Sequence, residues 1–299
     1  MAERLTVAIV SPGEMGHAIG QVLGLRGARA ITALEGRSGR TVELTRAAGI
    51  EDVGTLERAV READVLMSVL PSAAALPVAE RVAALLPGRR RPPLLFVDCN
   101  AMAPESVRQI GDVVARAGAK VVDVGIVGGP PTEARSPKFY ASGPHAEELT
   151  RLSDYGLDVR PLGGAIGQAS GLKMCYAALT KGLSALGAEL LIAAEKMELL
   201  DPLLAELHDS QAVVLDWLER SVPGMPPKAR RWVSEMEEIA ATFAHEGQSP
   251  GYHRAASELY RRVGQTELGQ ERPESRDTSR TLRAVIEGLA RSEVAQPAS

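Results

Sequence analysis

The sequence predicts an α/β protein, a doubly wound parallel sheet followed by an all-α helical domain. Three observations carry that expectation. Short β-branched or apolar runs alternate with helical stretches through the first half, the pattern of successive βαβ units. A glycine-bearing turn joins the first of these runs to the first helical stretch. From Ile166 onward the strand pattern stops and Ala- and Leu-rich helical periodicity takes over. The chain has 299 residues, about twice the length of a typical domain. Two domains, 1–164 and 165–299, are therefore expected, with Gly163-Gly164 marking the break.

The strands expected in order are 5–10, 29–34, 65–70, 94–98, 120–124, 139–142 and 158–162. Helices are expected between them over 14–25, 41–48, 73–86 and 105–117. A single long helix over 166–199 contains no proline and opens the second half. Further helices are expected near 202–221, 228–246 and 253–263, separated by Pro223, Pro226-Pro227 and the Gly247–Gly251 stretch. A polar stretch over 270–279, a short helix and a polar tail complete the chain.

Composition narrows the function classes. With 45% hydrophobic and 24% charged residues, the chain has the make-up of a soluble globular protein. A net charge of −4 argues against a nucleic-acid or anionic-membrane surface. Cys99 and Cys175 are too few for a disulfide framework or a zinc site, and His17, His145, His208, His245 and His253 are scattered, so no metal is expected. The apolar run 5–10 is too short for a secretory leader, and the apolar run 174–194 carries Lys181 and Glu189, unlike a membrane span. A cytoplasmic location is the expectation.

The first strand leads directly into Ser11-Pro12-Gly13-Glu14-Met15-Gly16 and then a helix. This is the G-x-G-x-x-G arrangement of a Rossmann-type dinucleotide domain, with Ser11 in the first place. Gly13 lets backbone approach a pyrophosphate, Gly16 lets helix and strand pack closely, and the N–H groups at the start of the helix face the phosphates. After the second strand comes Glu35-Gly36-Arg37-Ser38-Gly39-Arg40. Glu35 stands where a carboxylate holds a ribose 2′-hydroxyl, which favours NAD. Arg37, Ser38 and Arg40 offer guanidinium and hydroxyl groups to a 2′-phosphate. They outweigh a single carboxylate, so NADP(H) is the expected cofactor, with NAD(H) as the alternative.

Several segments together resemble the β-hydroxyacid dehydrogenase superfamily, which includes 6-phosphogluconate and 3-hydroxyisobutyrate dehydrogenases. Gly13-Glu14-Met15-Gly16 is similar to its G-x-M-G signature, and Gly36-Arg37-Ser38 to its Asn-Arg-Thr cofactor loop. Ser68-Val69-Leu70-Pro71 resembles the strand-end Leu-Pro that the family places near the nicotinamide ribose, and Asp98–Pro104 its D-x-S-x-x-P stretch. Asp123–Gly129 aligns with its substrate loop, which implies substrate contacts at Val127, Gly128 and Gly129; the 167–173 stretch resembles its catalytic-lysine helix. The second half resembles a helical domain attached to one branch of this superfamily, through the 171–178 and 231–240 stretches.

Lys173 is the candidate general acid/base. Basic residues here are overwhelmingly arginine, which makes a lysine among Gly167, Ala169, Ser170 and Gly171 informative. Reducing a carbonyl with a nicotinamide needs a proton donor beside the oxygen. On a helix, Tyr176, Ala177 and Thr180 share the lysine's face. The resemblance implies an asparagine four residues after the lysine, where Ala177 stands, and a serine in the substrate loop, where Val127 stands. Tyr176 or Asn100 is then the candidate for the missing hydrogen bond, and the Gly128 and Gly129 N–H groups for anion binding. Asn100 also falls within the expected cofactor contacts. Arg231 is either a helix-surface ion pair with Glu235 or, as the resemblance implies, a basic group reaching the active site.

These readings predict an NADPH-dependent oxidoreductase acting on a small oxo or hydroxy acid. The alternatives are an imine reductase or reductive aminase of the same architecture, kept open by Tyr176, and a non-catalytic NADP-binding sensor. A homodimer through the helical domain is expected, because the long apolar helix exceeds what one small domain can cover.

Overall fold

The structure, a computed structural model, describes residues 4–89 and 92–292. It divides into two compact units, Met1–Met174 and Cys175–Ser299, so the division falls inside the long helix rather than ahead of it at Gly164.

In the first unit, β1 (Thr6–Val10) leads to α1 (Glu14–Leu25), then β2 (Arg29–Thr32), α2 (Gly39–Ala47), β3 (Glu51–Asp52), α3 (Leu56–Glu62) and β4 (Val65–Ser68). There follow α4 (Ser72–Leu85), β5 (Leu95–Asp98), α5 (Pro104–Arg116), β6 (Lys120–Val127), β7 (Lys138–Ser142), a 3₁₀ stretch over Ala146–Tyr155 and β8 (Asp158–Gly163). One sheet takes the order β3-β2-β1-β4-β5-β6-β7-β8. The expected parallel sheet needs one correction: β6 and β7 pair antiparallel, because the short connection between them, closed by the Thr132–Arg135 bridge, cannot carry a crossover.

The strands are apolar on both faces, and alternate residues feed two cores. Ala8, Val10, Leu66, Phe96 and Val121 face α3, α4 and α5. Val7, Ile9, Val65, Met67, Val97, Val122 and Val124 face α1 and the Ala146–Tyr155 stretch. Each of the larger side chains contributes roughly 1.5–3 kcal/mol of burial, which fixes the strand register. The chain order reverses between β1 and β4, so the crevice beyond their C-terminal ends is where ligands bind in such sheets.

Among its described residues the second unit contains helices and no strand. The long α6 (Gln168–Lys196) enters it from the first unit and is followed by α7 (Leu200–Ser210), α8 (Ala212–Ser221), α9 (Ala229–His245), α10 (Gly251–Val263), α11 (Glu267–Gln270) and α12 (Leu282–Arg291). The 202–221 stretch is thus two helices, interrupted at Gln211. Within this unit α6 is tied down by side chains from α10. The Tyr260 hydroxyl donates to the Lys181 carbonyl at 2.5 Å and the Tyr252 hydroxyl to the Gly182 carbonyl at 2.8 Å. Gly187 lets Leu218 lie where a Cβ would stand, 2.2 Å from its methyl carbon. By length and composition α6 could also cross a membrane, but Ala185, Ala188, Leu191 and Ala194 are buried in protein. The expected polar tail lies partly in 293–299, outside the described residues.

Candidate active site

The turn after β1 has the geometry its residues demand. Ser11 holds a left-handed conformation at φ 60°, the reason glycine suits this place better. Gly16 sits so close to β1 that a Cβ would lie 3.1 Å from Ile9 and 3.2 Å from the Ser11 carbonyl oxygen. Gly13 meets the opposite situation: beyond its two chain neighbours, no atom of the described residues lies within 4 Å of where a Cβ would stand. It is also the residue before α1 and supplies no side-chain cap. Glu14 and Met15 open the helix. An uncapped helix start behind open space fits a pyrophosphate.

The loop after β2 turns at Gly36, at φ 69°, and places Arg37 half-buried, with its Nε buried and lacking a hydrogen-bond partner among the described residues. Burial, and then the nearby Arg81 cation, push the Arg37 guanidinium below its usual range. A buried orphan donor beside a second cation fits a phosphate oxygen. Arg81, on α4, stands far beyond Arg37 in the sequence, and no local motif links the two. Ser38 caps α2, accepting the Thr41 N–H at 3.3 Å, and Arg40 is half-buried in the first turn of that helix.

At the ends of β4 and β5, Asn100 departs from its expected part as the hydrogen-bond donor beside the lysine. It is buried, and its amide hydrogens go to Ser68 Oγ and Asp98 Oδ2, each at 3.0 Å. Its Oδ1 takes the Leu70 N–H at 2.5 Å. Both amide hydrogens are therefore committed. Asn100 instead holds the Ser68–Pro71 turn against β5 and so fixes where Leu70 and Pro71 lie. Asp98 is buried and pushed up to about 7, first by burial and further by the Asp123 charge, against the Asn100 hydrogen bonds and the Lys173 cation.

Lys173 is half-buried, and its charge is felt at both Asp98 and Cys99. The start of its helix is gripped by strand side chains. Asp123 Oδ2 accepts the Gly167 and Ser170 N–H groups at 2.9 and 3.0 Å, and Oδ1 accepts the Ser170 hydroxyl at 2.6 Å. The Ser142 hydroxyl also donates to Asp123, at 3.0 Å, while its oxygen takes the Ala169 N–H at 3.0 Å. Past Lys173's strand neighbour Gly125, β6 runs on through Val127 to Gly128, at φ 131°, and Gly129, whose Cβ direction is open.

Comparison with known proteins identifies the family to which this fold belongs. Residues 6–154 match the NAD-binding domain of 6-phosphogluconate dehydrogenase, and 194–263 match a domain of unknown function, DUF1932. The chain belongs to the 6-phosphogluconate dehydrogenase-like NAD(P)-binding superfamily, in the branch that carries a DUF1932 domain. An uncharacterized 28.5 kDa protein from Methanothermus fervidus is 26% identical over 78% of this chain and 88% of its own. A solved protein of unknown function, described as structurally similar to 3-hydroxyacid dehydrogenases, is 28% identical over 87% of this chain and 97% of its own, with a TM-score of 0.65. The fold is shared with Mycobacterium tuberculosis 3-hydroxyisobutyrate dehydrogenase, 19% identical, at a TM-score of 0.71 over 97% of this chain and all (100%) of that one.

Against the superfamily pattern, the second unit's candidate residues are placed as follows. Tyr176 is 51% exposed on α6, one turn beyond Lys173. Thr180 donates its hydroxyl to the Tyr176 carbonyl at 3.2 Å, so that proton is already used by its own helix. Arg231 lies 3.2 Å from Glu235, the i,i+4 pairing its spacing allows. Glu235 also takes Lys181, at 2.9 Å, and that ammonium lies 5.4 Å from the Trp232 ring centre. Ala177, where the superfamily asparagine is expected, is buried.

Proposed function

We propose that this protein is an NADPH-dependent reductase or dehydrogenase acting on a small oxo or hydroxy acid, with Lys173 as the general acid/base. The placement of Lys173 carries the reading. It is a half-buried lysine on a helix start clamped to β6, within electrostatic reach of the carboxylate at the end of β5. Gly13, Glu14, Met15 and Gly16 would hold the pyrophosphate, Arg37 with Arg81, Ser38 and Arg40 the 2′-phosphate, and Leu70 and Pro71 the nicotinamide end. The bound nicotinamide supplies or takes a hydride. Lys173 Nζ delivers the proton to the substrate oxygen in reduction and removes it in oxidation. The Gly128 and Gly129 backbone, in place of the superfamily serine, receives the substrate's acidic group.

The NADP(H) preference rests on the orphaned Arg37 Nε beside a second cation. Tyr176, exposed one turn from Lys173, keeps cyclic imines as the second substrate class. The experiment is NADPH oxidation against a panel of 2- and 3-oxo acids and cyclic imines. Turnover of an oxo acid supports the reading, turnover of imines alone favours the second, and binding of NADPH without any turnover defeats both.

We also propose a cytoplasmic homodimer built on α6. Leu172, Tyr176, Leu179, Leu183, Leu186, Leu190 and Ala193 alternate in steps of four and three, the spacing of a helix-packing seam. Along that seam Tyr176, Leu179 and Leu186 are 51%, 66% and 48% exposed. A second copy of the same seam is its natural cover.

A further inference from the structure

We infer that Asp123 is a positioning residue for Lys173: from the middle of β6 it holds the turn of α6 that carries the lysine, and its effect on the reaction runs through that lysine. The inference rests on the reading of Lys173 as proton donor.

The first N–H groups of a helix have no partners within it and are ordinarily met by a local cap such as Ser, Thr or Asp just ahead. The residues ahead of α6 are Ala165, Ile166 and Gly167, none of which has a side-chain acceptor. Asp123 and Ser142 take that role from other elements. Between them they accept the Gly167, Ala169 and Ser170 N–H groups, and Asp123 also receives the hydroxyls of Ser142 and Ser170. All three side chains are buried, at 0% exposure. A carboxylate so placed is stable only while its donors surround it, so the helix start and the strand hold each other.

A second contact fixes the distance. A Cβ on Gly125 would fall 2.4 Å from the Ala169 carbonyl oxygen and 3.1 Å from Lys173 Cβ. The helix therefore lies directly on β6, gripped at Asp123 and seated at Gly125, with Lys173 one turn beyond the grip. The same strand continues into Gly128 and Gly129. Proton donor and substrate loop are thus mounted on one strand, and their separation is set by the Asp123 hydrogen bonds rather than by a flexible connection.

A double-mutant cycle on the full-length protein tests this, using NADPH turnover of the best oxo acid in the panel and NADPH binding by fluorescence. Asp123→Asn is expected to lower kcat by about 10- to 100-fold, as a lysine displaced by about an ångström would. The NADPH dissociation constant should change by less than about twofold, because the phosphate turn lies on other strands. In a Lys173→Ala background the same substitution should alter residual turnover by less than about twofold. Equal losses in both backgrounds overturn the inference, as does an unchanged kcat. Ser170→Ala gives the milder version should Asp123→Asn fail to fold; full additivity with Lys173→Ala overturns the inference there too. Amide exchange over residues 167–174 should quicken in either variant, and an unaltered rate contradicts the grip independently of activity. If Lys173→Ala alone retains full turnover, the proton-donor reading has failed; if it collapses turnover and the cycle is additive, only the role of Asp123 has failed.

Discussion

Asp98 and Asp123 are direct partners across the β5–β6 ladder, and both carboxyls are buried. The Asp123 charge adds to burial in raising the Asp98 pKa. The structure separates their surroundings. Asp123 is encircled by donors from α6 and β7, whereas Asp98 accepts from the Asn100 backbone and side-chain amides and is pushed up to about 7.

A pH dependence of stability follows from Asp98. In the unfolded chain an aspartate titrates near 4. Between roughly pH 4 and pH 7 the folded protein holds a proton that the unfolded chain has lost. Stability therefore falls as pH rises through that window and levels off above it. Urea midpoints across the window should show the decline, and Asp98→Asn should flatten it. An equal slope in the variant contradicts this assignment.

Ser11 tells how a motif departure is absorbed. Its left-handed backbone at φ 60° costs an L-residue roughly 1–2 kcal/mol. Ser11→Gly removes that strain but loosens the unfolded chain, leaving a net gain of about 0.5 kcal/mol. Thermal unfolding measures it. A loss of stability would mean that the serine side chain, not the backbone, matters at the turn.

The two arginines of the cofactor loop make a separable prediction. Arg37→Ala should weaken NADPH binding about tenfold and NADH binding by less than about twofold, since only NADPH carries the 2′-phosphate. Arg81→Ala should act in the same direction by about threefold. Titration of both cofactors into each variant decides it; equal weakening of NADH and NADPH contradicts a 2′-phosphate site.

The α6 seam predicts an oligomer. Light scattering should give the mass of two chains, and replacing Leu179 and Leu186 together by Glu should halve it while leaving helix content unchanged. A monomer at the outset contradicts the seam as a self-association face.

Local signals carried most of the fold. The α1 boundaries, Gly13, Gly16 and the Gly36 turn are written in adjacent residues, and the structure places each within the element expected. What sequence could not give is non-local or too short. The β3 strand is two exposed residues, Glu51 and Asp52, with no periodicity to find. The strand β6 runs three residues past its expected end, because Gly125 reads as a breaker in sequence yet serves as the seat for α6. The Asp123 cluster joins residues 19 to 47 positions apart; Asp123 and Ser170 each lie in stretches the sequence singles out, but only the fold joins them to each other and to Ser142. Asn100 stands out in the sequence as a candidate hydrogen-bond donor, but only the fold shows that its amide is spent on Ser68 and Asp98.

Lys173→Ala, assayed for NADPH turnover and NADPH binding in the same preparation, addresses the proposed chemistry most directly. Loss of the proton donor should lower turnover by roughly 100-fold or more and leave the NADPH dissociation constant within about twofold, because Gly13, Gly16 and Arg37 are untouched. Turnover that survives the substitution would show that the proton comes from elsewhere, and the catalytic account built on this lysine would be wrong.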